Sequence, residues 1–150
     1  MMMDKGKHLL TVAGWLSVVA SLLHIACIFG GGDWYRFFGA GEAMARAAEA
    51  GSWMPPLVTA GIAAVLAIWA AYAFSGAGRI GRLPLLRIGL IVIAAIYLLR
   101  GLMIVPILIE PLLRTSFNIW SSLIVLGYGV AYAAGTWLAW PYLSRKDAIQ

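Results

Sequence analysis

Residues 9–29 read LLTVAGWLSVVASLLHIACIF, 21 consecutive positions without Asp, Glu, Lys or Arg. In a helix rising 1.5 Å per residue this run extends roughly 31 Å, the thickness of a bilayer's hydrocarbon core. Lys5 and Lys7 precede it like the charged start of a secretory signal, and Ala26-Cys27 has the look of a lipoprotein cleavage site. Two features argue against that reading. The run exceeds the roughly 7–15 apolar residues of a signal core, and His24 stands three positions before Cys27, where an aliphatic residue is expected. The stretch is therefore read as a membrane span.

Three further apolar stretches repeat the pattern at residues 56–74, 85–109 and 117–140. The chain of 150 residues is 63% hydrophobic and 11% charged, with a mean hydropathy of +0.90. A soluble domain this short has too little interior to bury so much apolar surface, so lipid must cover the remainder. The sequence predicts an all-α membrane protein, a four-transmembrane-helix bundle forming one domain over residues 1–150. Pro106 predicts a kink in the long third span, because its missing N–H frees the carbonyl of Leu102.

Charge sets the direction of the spans. Lys5, Lys7, Arg79, Arg82, Arg87, Arg145 and Lys146, seven of the eleven basic residues, fall on one side. The positive-inside rule makes that side cytoplasmic, with both termini on it, in the inner membrane of a bacterium. Trp53, Phe117 and Trp120 then mark the outer interface, and Trp69, Tyr72, Trp137, Trp140 and Tyr142 approach the inner one. The net charge of +5 is scattered between apolar runs, which excludes the continuous basic stripe of a nucleic-acid binder. Cys27 is the single cysteine, so neither an internal disulfide nor a cysteine metal cluster can form within the chain.

The connection at residues 30–52 is far longer than adjacent helices need. It opens with Gly30-Gly31-Gly32, read as a free turn, and continues with the aromatic run Asp33-Trp34-Tyr35-Arg36-Phe37-Phe38, where Asp33 is placed to cap a short helix. Residues 42–50 then predict a short interfacial helix, with Glu42 to Arg46 and Arg46 to Glu49 at pairing distance and Gly51 ending it. Its other face, with Met44, Ala47 and Ala48, lies on the membrane or roofs the outer mouth of the bundle.

Two ionisable groups fall inside spans, where charge is expensive and points to function or to a buried partner. His24 lies about 22 Å along its helix from Leu9, and Arg100 about 20 Å from Arg87, placing both in the outer third of the membrane. Gly14, Ser17, Ser21 and His24 share one helix face, and Tyr97 is one turn from Arg100. A polar pocket opening outward is expected, with Asp33 or Glu42 the nearest counter-ions for Arg100. The candidate ligand-binding residues are His24, Arg100, Tyr97, Asp33, Tyr35, Arg36 and Glu42. The bland reading makes Arg100 a pin that holds the outer loop down.

Small residues at Ala60, Ala63, Ala67 and Ala70, and at Gly127, Ala131 and Gly135, permit close helix packing inside the bundle or against a partner. Phosphate-loop, zinc-helix and nucleophile-elbow motifs are absent, and a haem held by His8 and His24 is excluded by their separation across the membrane. No metal and no cofactor are expected, while a lipid or a quinone fits the pocket's chemistry. Two readings of function follow. The first is a non-catalytic protein, an accessory subunit of a larger membrane complex or a binder of lipid-like ligands, with membrane lipids, that complex or a second copy as partners. The second is a small enzyme or transporter acting on a lipid, quinone or anionic solute through His24 and Arg100.

Overall fold

In the computed structural model residues 1–144 are described, and they form helices α1 (Met2–Phe37), α2 (Glu42–Glu49), α3 (Met54–Gly76), α4 (Leu86–Leu102), α5 (Ile104–Ile109) and α6 (Ser116–Leu143). A single 3-10 turn, Pro111–Leu113, links α5 to α6, and there is no strand among the described residues. Four segments are long and apolar enough to cross a membrane: Met2–Phe37, Met54–Gly76, Leu86–Ile109 and Ser116–Leu138. Only 17–28% of the apolar stretch of each is buried inside the fold, so most of its surface faces outward and needs an apolar surrounding. Arg145 and Lys146, two of the charges behind the expected orientation, lie outside the described residues.

The helix boundaries follow local chemistry. Pro55 and Pro56 occupy the first turn of α3, where a missing N–H removes no helix bond. Thr115 accepts a hydrogen bond from the backbone N–H of Asn118 at 3.1 Å and so caps α6. The third span breaks at Met103 between α4 and α5, as the lost N–H of Pro106 leads one to expect.

One boundary differs from the sequence reading. The glycine triplet does turn the chain, at Gly31 with φ 66° and ψ −153°, but helix resumes at once and runs to Phe37, so α1 is two helical pieces joined at a kink and not a helix followed by a loop. That positive φ suits glycine and kinks the helix there. Asp33 therefore sits within α1 and caps no helix.

Each long helix packs against two neighbours. α1 lies between α3 and α6, α4 lies on the far side of α6, and the α3–α4 side is the thinnest. At the end carrying the N-terminus and the α3–α4 connection, Arg82 donates to the Leu143 carbonyl at 2.5 Å and Lys7 lies 3.7 Å over the Tyr142 ring. We term this the termini end, and the opposite one, carrying α2, the cap end.

One apolar core runs from Leu10, Leu86, Leu90 and Leu143 up to Tyr97 and Tyr132. Towards the cap end it divides. Cys27, Tyr35 and Ala45 form a separate cluster where α2 lies over α1 and α3, while α4 and α6 continue beside it. The expected small-residue faces also separate here. Ala63, Ala70 and Gly135 are buried, whereas Ala60, Ala67 and Gly127 look outward.

Candidate functional site

Midway along the bundle a hydroxyl network ties all four long helices together. Ser17 on α1 is fully buried and lies 3.1 Å from the Tyr97 hydroxyl on α4 and 2.8 Å from that of Tyr132 on α6. Tyr132 donates in turn to the Trp69 carbonyl on α3 at 3.0 Å. The rings stack edge-on around this point, with Tyr97 4.9 Å from Trp69 and 5.5 Å from Tyr128. Every hydroxyl has its partner within the network, so the arrangement fixes helix positions and supplies no activated group.

One turn from Tyr97 towards the cap end stands Arg100. It donates to Ser122 at 3.0 Å and to Ser121 at 3.5 Å, both on α6. Ser122 is fully buried, whereas Arg100 remains exposed. No carboxylate lies within ion-pairing distance of Arg100 among the described residues. Its position in the last turn of α4 places the charge beside the negative end of that helix's dipole, which offsets part of its cost.

The acids expected to pair with Arg100 are held by Arg36 instead. Its guanidinium grips Glu42 through Nε at 2.8 Å, Glu49 at 2.5 and 3.0 Å, and Asp33 at 3.3 Å. Glu42 also accepts from Arg46 at 2.8 Å, so the expected Glu42 to Arg46 pair forms while Glu49 turns to Arg36. The cause is the extension of α1, which carries Arg36 over the first and last turns of α2. Beneath this cluster Tyr35 is buried against Cys27 and Ala45, and its hydroxyl accepts from Thr59 on α3 at 3.2 Å.

His24 stands apart from Arg100. Its Nδ1–H donates to the Ala20 carbonyl of its own helix at 2.8 Å, and no hydrogen bond joins it to Arg100. The structure thus gathers Asp33, Arg36 and Glu42 into one cluster above Tyr35, puts Tyr97 in the central network, and leaves Arg100 with the serines of α6. Sequence reasoning missed Ser121, Ser122, Glu49 and Tyr132 as partners. The signals were a serine pair five and six residues into an apolar span and tyrosines at four-residue spacing, Tyr128 and Tyr132. No group of three His, Cys, Asp or Glu side chains is placed to hold a metal ion among the described residues.

The pairing in the cap cluster predicts a pH response. Arg36, helped by Arg46, holds the Glu42 carboxyl down to about 2 from its usual 4.5, and Arg36 also lowers Glu49. A carboxyl lowered in the folded state stabilises it fully above the unfolded value and loses that contribution as pH falls through the folded one. The cap should therefore stay closed down to about pH 4.5 and open as pH approaches 2. Pepsin digestion of the detergent-solubilised protein reads this at Phe37–Phe38: wild type resists at pH 4.5 and is cut near pH 2, whereas Arg36→Gln is cut at both. Equal resistance of the two proteins at pH 4.5 would show that Arg36 does not hold the cap.

Two concavities lie at the termini end. One of about 530 Å³ is lined by Arg82 to Ile88, and one of about 300 Å³ by Asp4, Lys7, His8, Thr11 and Arg79 among others. Both are formed by the connection and helix starts where basic residues cluster.

No family model, no curated protein and no solved structure matches this chain. The class that fold and site define is accordingly the broad one, a small helical membrane protein with four candidate spans.

Proposed function

We propose that this chain is a non-catalytic protein of a bacterial inner membrane, both termini in the cytoplasm and α2 outside, which holds an anionic lipid-like ligand near the outer leaflet through Arg100. The orientation rests on the basic residues at the termini end, Lys5, Lys7, Arg79, Arg82 and Arg87. The observation that carries the ligand reading is the partnership of Arg100. A charged side chain at membrane depth is costly without a counter-ion, and among the described residues Arg100 has only serine hydroxyls, while Arg36 engages Asp33, Glu42 and Glu49 and the Glu110 carboxylate accepts from the Leu112 backbone N–H. An anionic ligand supplies the missing charge. The enzymatic or transport alternative draws on His24 acting with Arg100, and nothing in this geometry joins the two.

Native mass spectrometry of protein extracted in mild detergent tests the reading. Wild type is expected to carry a small-molecule adduct, and Arg100→Gln, which removes the charge and stops short of the serines, to lose it. A bare wild-type chain would overturn the ligand reading, and one found only in a fixed ratio with another protein would favour the accessory-subunit reading.

A further inference from the structure

We infer that the group Arg100 holds is a phosphate, presented by the headgroup of an outer-leaflet phospholipid or as free phosphate; this rests on the reading of Arg100 given above. Three observations carry it. The first is the unused donor capacity. A guanidinium has five N–H donors. The serines take one from each terminal nitrogen, and Nε donates to nothing among the described residues, so an edge remains for bidentate binding of an oxyanion.

The second is depth. Ser121 and Ser122 lie five and six residues into α6 from Ser116, roughly 8–9 Å below its cap end, within reach of a headgroup drawn slightly inward. Trp120, 66% exposed beside them, is the side chain expected at that interface. Leu99 on α4 and Met103 just past its end, on either side of Arg100 in sequence, are 68% and 45% exposed and give acyl chains an apolar track.

The third is the chemistry of the charge. A guanidinium keeps either a carboxylate or a phosphodiester ionised beside it, but the phosphodiester is the oxyanion that the phospholipids of the leaflet themselves carry at headgroup depth. The headgroup phosphodiester therefore answers the charge of Arg100 wherever the span meets the leaflet. The cap acids do not compete, since Arg36 and Arg46 already hold Glu42 and Arg36 holds Glu49.

The test is a binding titration by native mass spectrometry on the full chain in a phosphate-free detergent, after delipidation. The probes are phosphatidylglycerol, diacylglycerol with the same chains, oleate and inorganic phosphate. Phosphatidylglycerol is expected to bind once per chain, with diacylglycerol weaker by about tenfold or more, the loss of one charged hydrogen-bonded contact, and oleate weaker because one chain replaces two. Arg100→Gln should weaken phosphatidylglycerol by a similar factor and leave diacylglycerol unchanged. Displacement of the lipid by inorganic phosphate at low concentration also supports the inference and identifies free phosphate as a source.

Oleate binding as tightly as phosphatidylglycerol, and dependent on Arg100, would overturn the phosphate assignment while keeping Arg100 as a ligand anchor. Equal binding of diacylglycerol would overturn it too, by showing that only the chains are recognised. Binding of no probe removes both the inference and the reading beneath it. If Arg100→Gln fails to fold, Ser121→Ala serves, because loss of that bond loosens the guanidinium and should weaken phosphatidylglycerol but not diacylglycerol. Unchanged phosphatidylglycerol affinity in a folded Arg100→Gln or Ser121→Ala protein counts against the site.

Discussion

Replacing Tyr132 by alanine is expected to cost about 3–5 kcal/mol, the range for deleting a buried aromatic ring, and to leave little folded protein. Tyr132 is fully buried at the meeting point of the four long helices. Its ring lies 5.4 Å from that of Tyr97, and its hydroxyl links Ser17 on α1 to the Trp69 carbonyl on α3. Tyr132→Phe separates the two contributions. It keeps the ring and removes two hydrogen bonds, each worth about 0.6 kcal/mol on average between membrane helices, so about 1–2 kcal/mol is lost. Ser17 retains Tyr97 as a partner, which limits the damage. Unfolding by sodium dodecyl sulfate titration in mixed micelles measures both variants. A Tyr132→Phe protein as unstable as Tyr132→Ala would mean that the hydroxyl network, and not ring packing, holds the bundle centre.

Gly135→Leu is expected to destabilise the bundle by at least about 1–3 kcal/mol, the usual cost of forcing extra carbons into a packed interior. A Cβ at Gly135 would stand 2.9 Å from the Leu10 side chain and 3.1 Å from the Leu10 backbone nitrogen, so α1 and α6 would have to separate. Gly127, two turns away on the same helix, meets nothing within 4 Å, and Gly127→Leu should leave stability unchanged. The contrast has a practical consequence. Only Gly127 gives a clean test of an interface with a partner protein, because a bulky residue at Gly135 damages the fold first. The same detergent titration decides, and wild-type stability in Gly135→Leu would show that the α1–α6 contact is looser than its geometry implies.

Sequence alone determined that four helices are long and apolar enough to cross a membrane, and it determined the short helix after Gly41 and the break near Pro106. Each of these depends on local chemistry: the length of an uncharged run, the helix preference of alanine, and a missing N–H at proline. The height of Arg100 along its helix was legible for the same reason, since rise per residue converts a count into a distance.

Which way each residue faces was not legible. A soluble helix shows its inner face by its apolar stripe, but these helices are apolar all round, because lipid is as apolar as the bundle interior. Only the tertiary structure decided that Ala63 turns inward and Ala60 outward, and that Tyr97 and Tyr132 meet at Ser17. The pairing of charges was hidden for a related reason. Asp33, Glu42 and Glu49 lie within reach of several arginines in sequence, and the continuation of α1 through Gly31 is what delivers them to Arg36 and leaves Arg100 to the serines of α6.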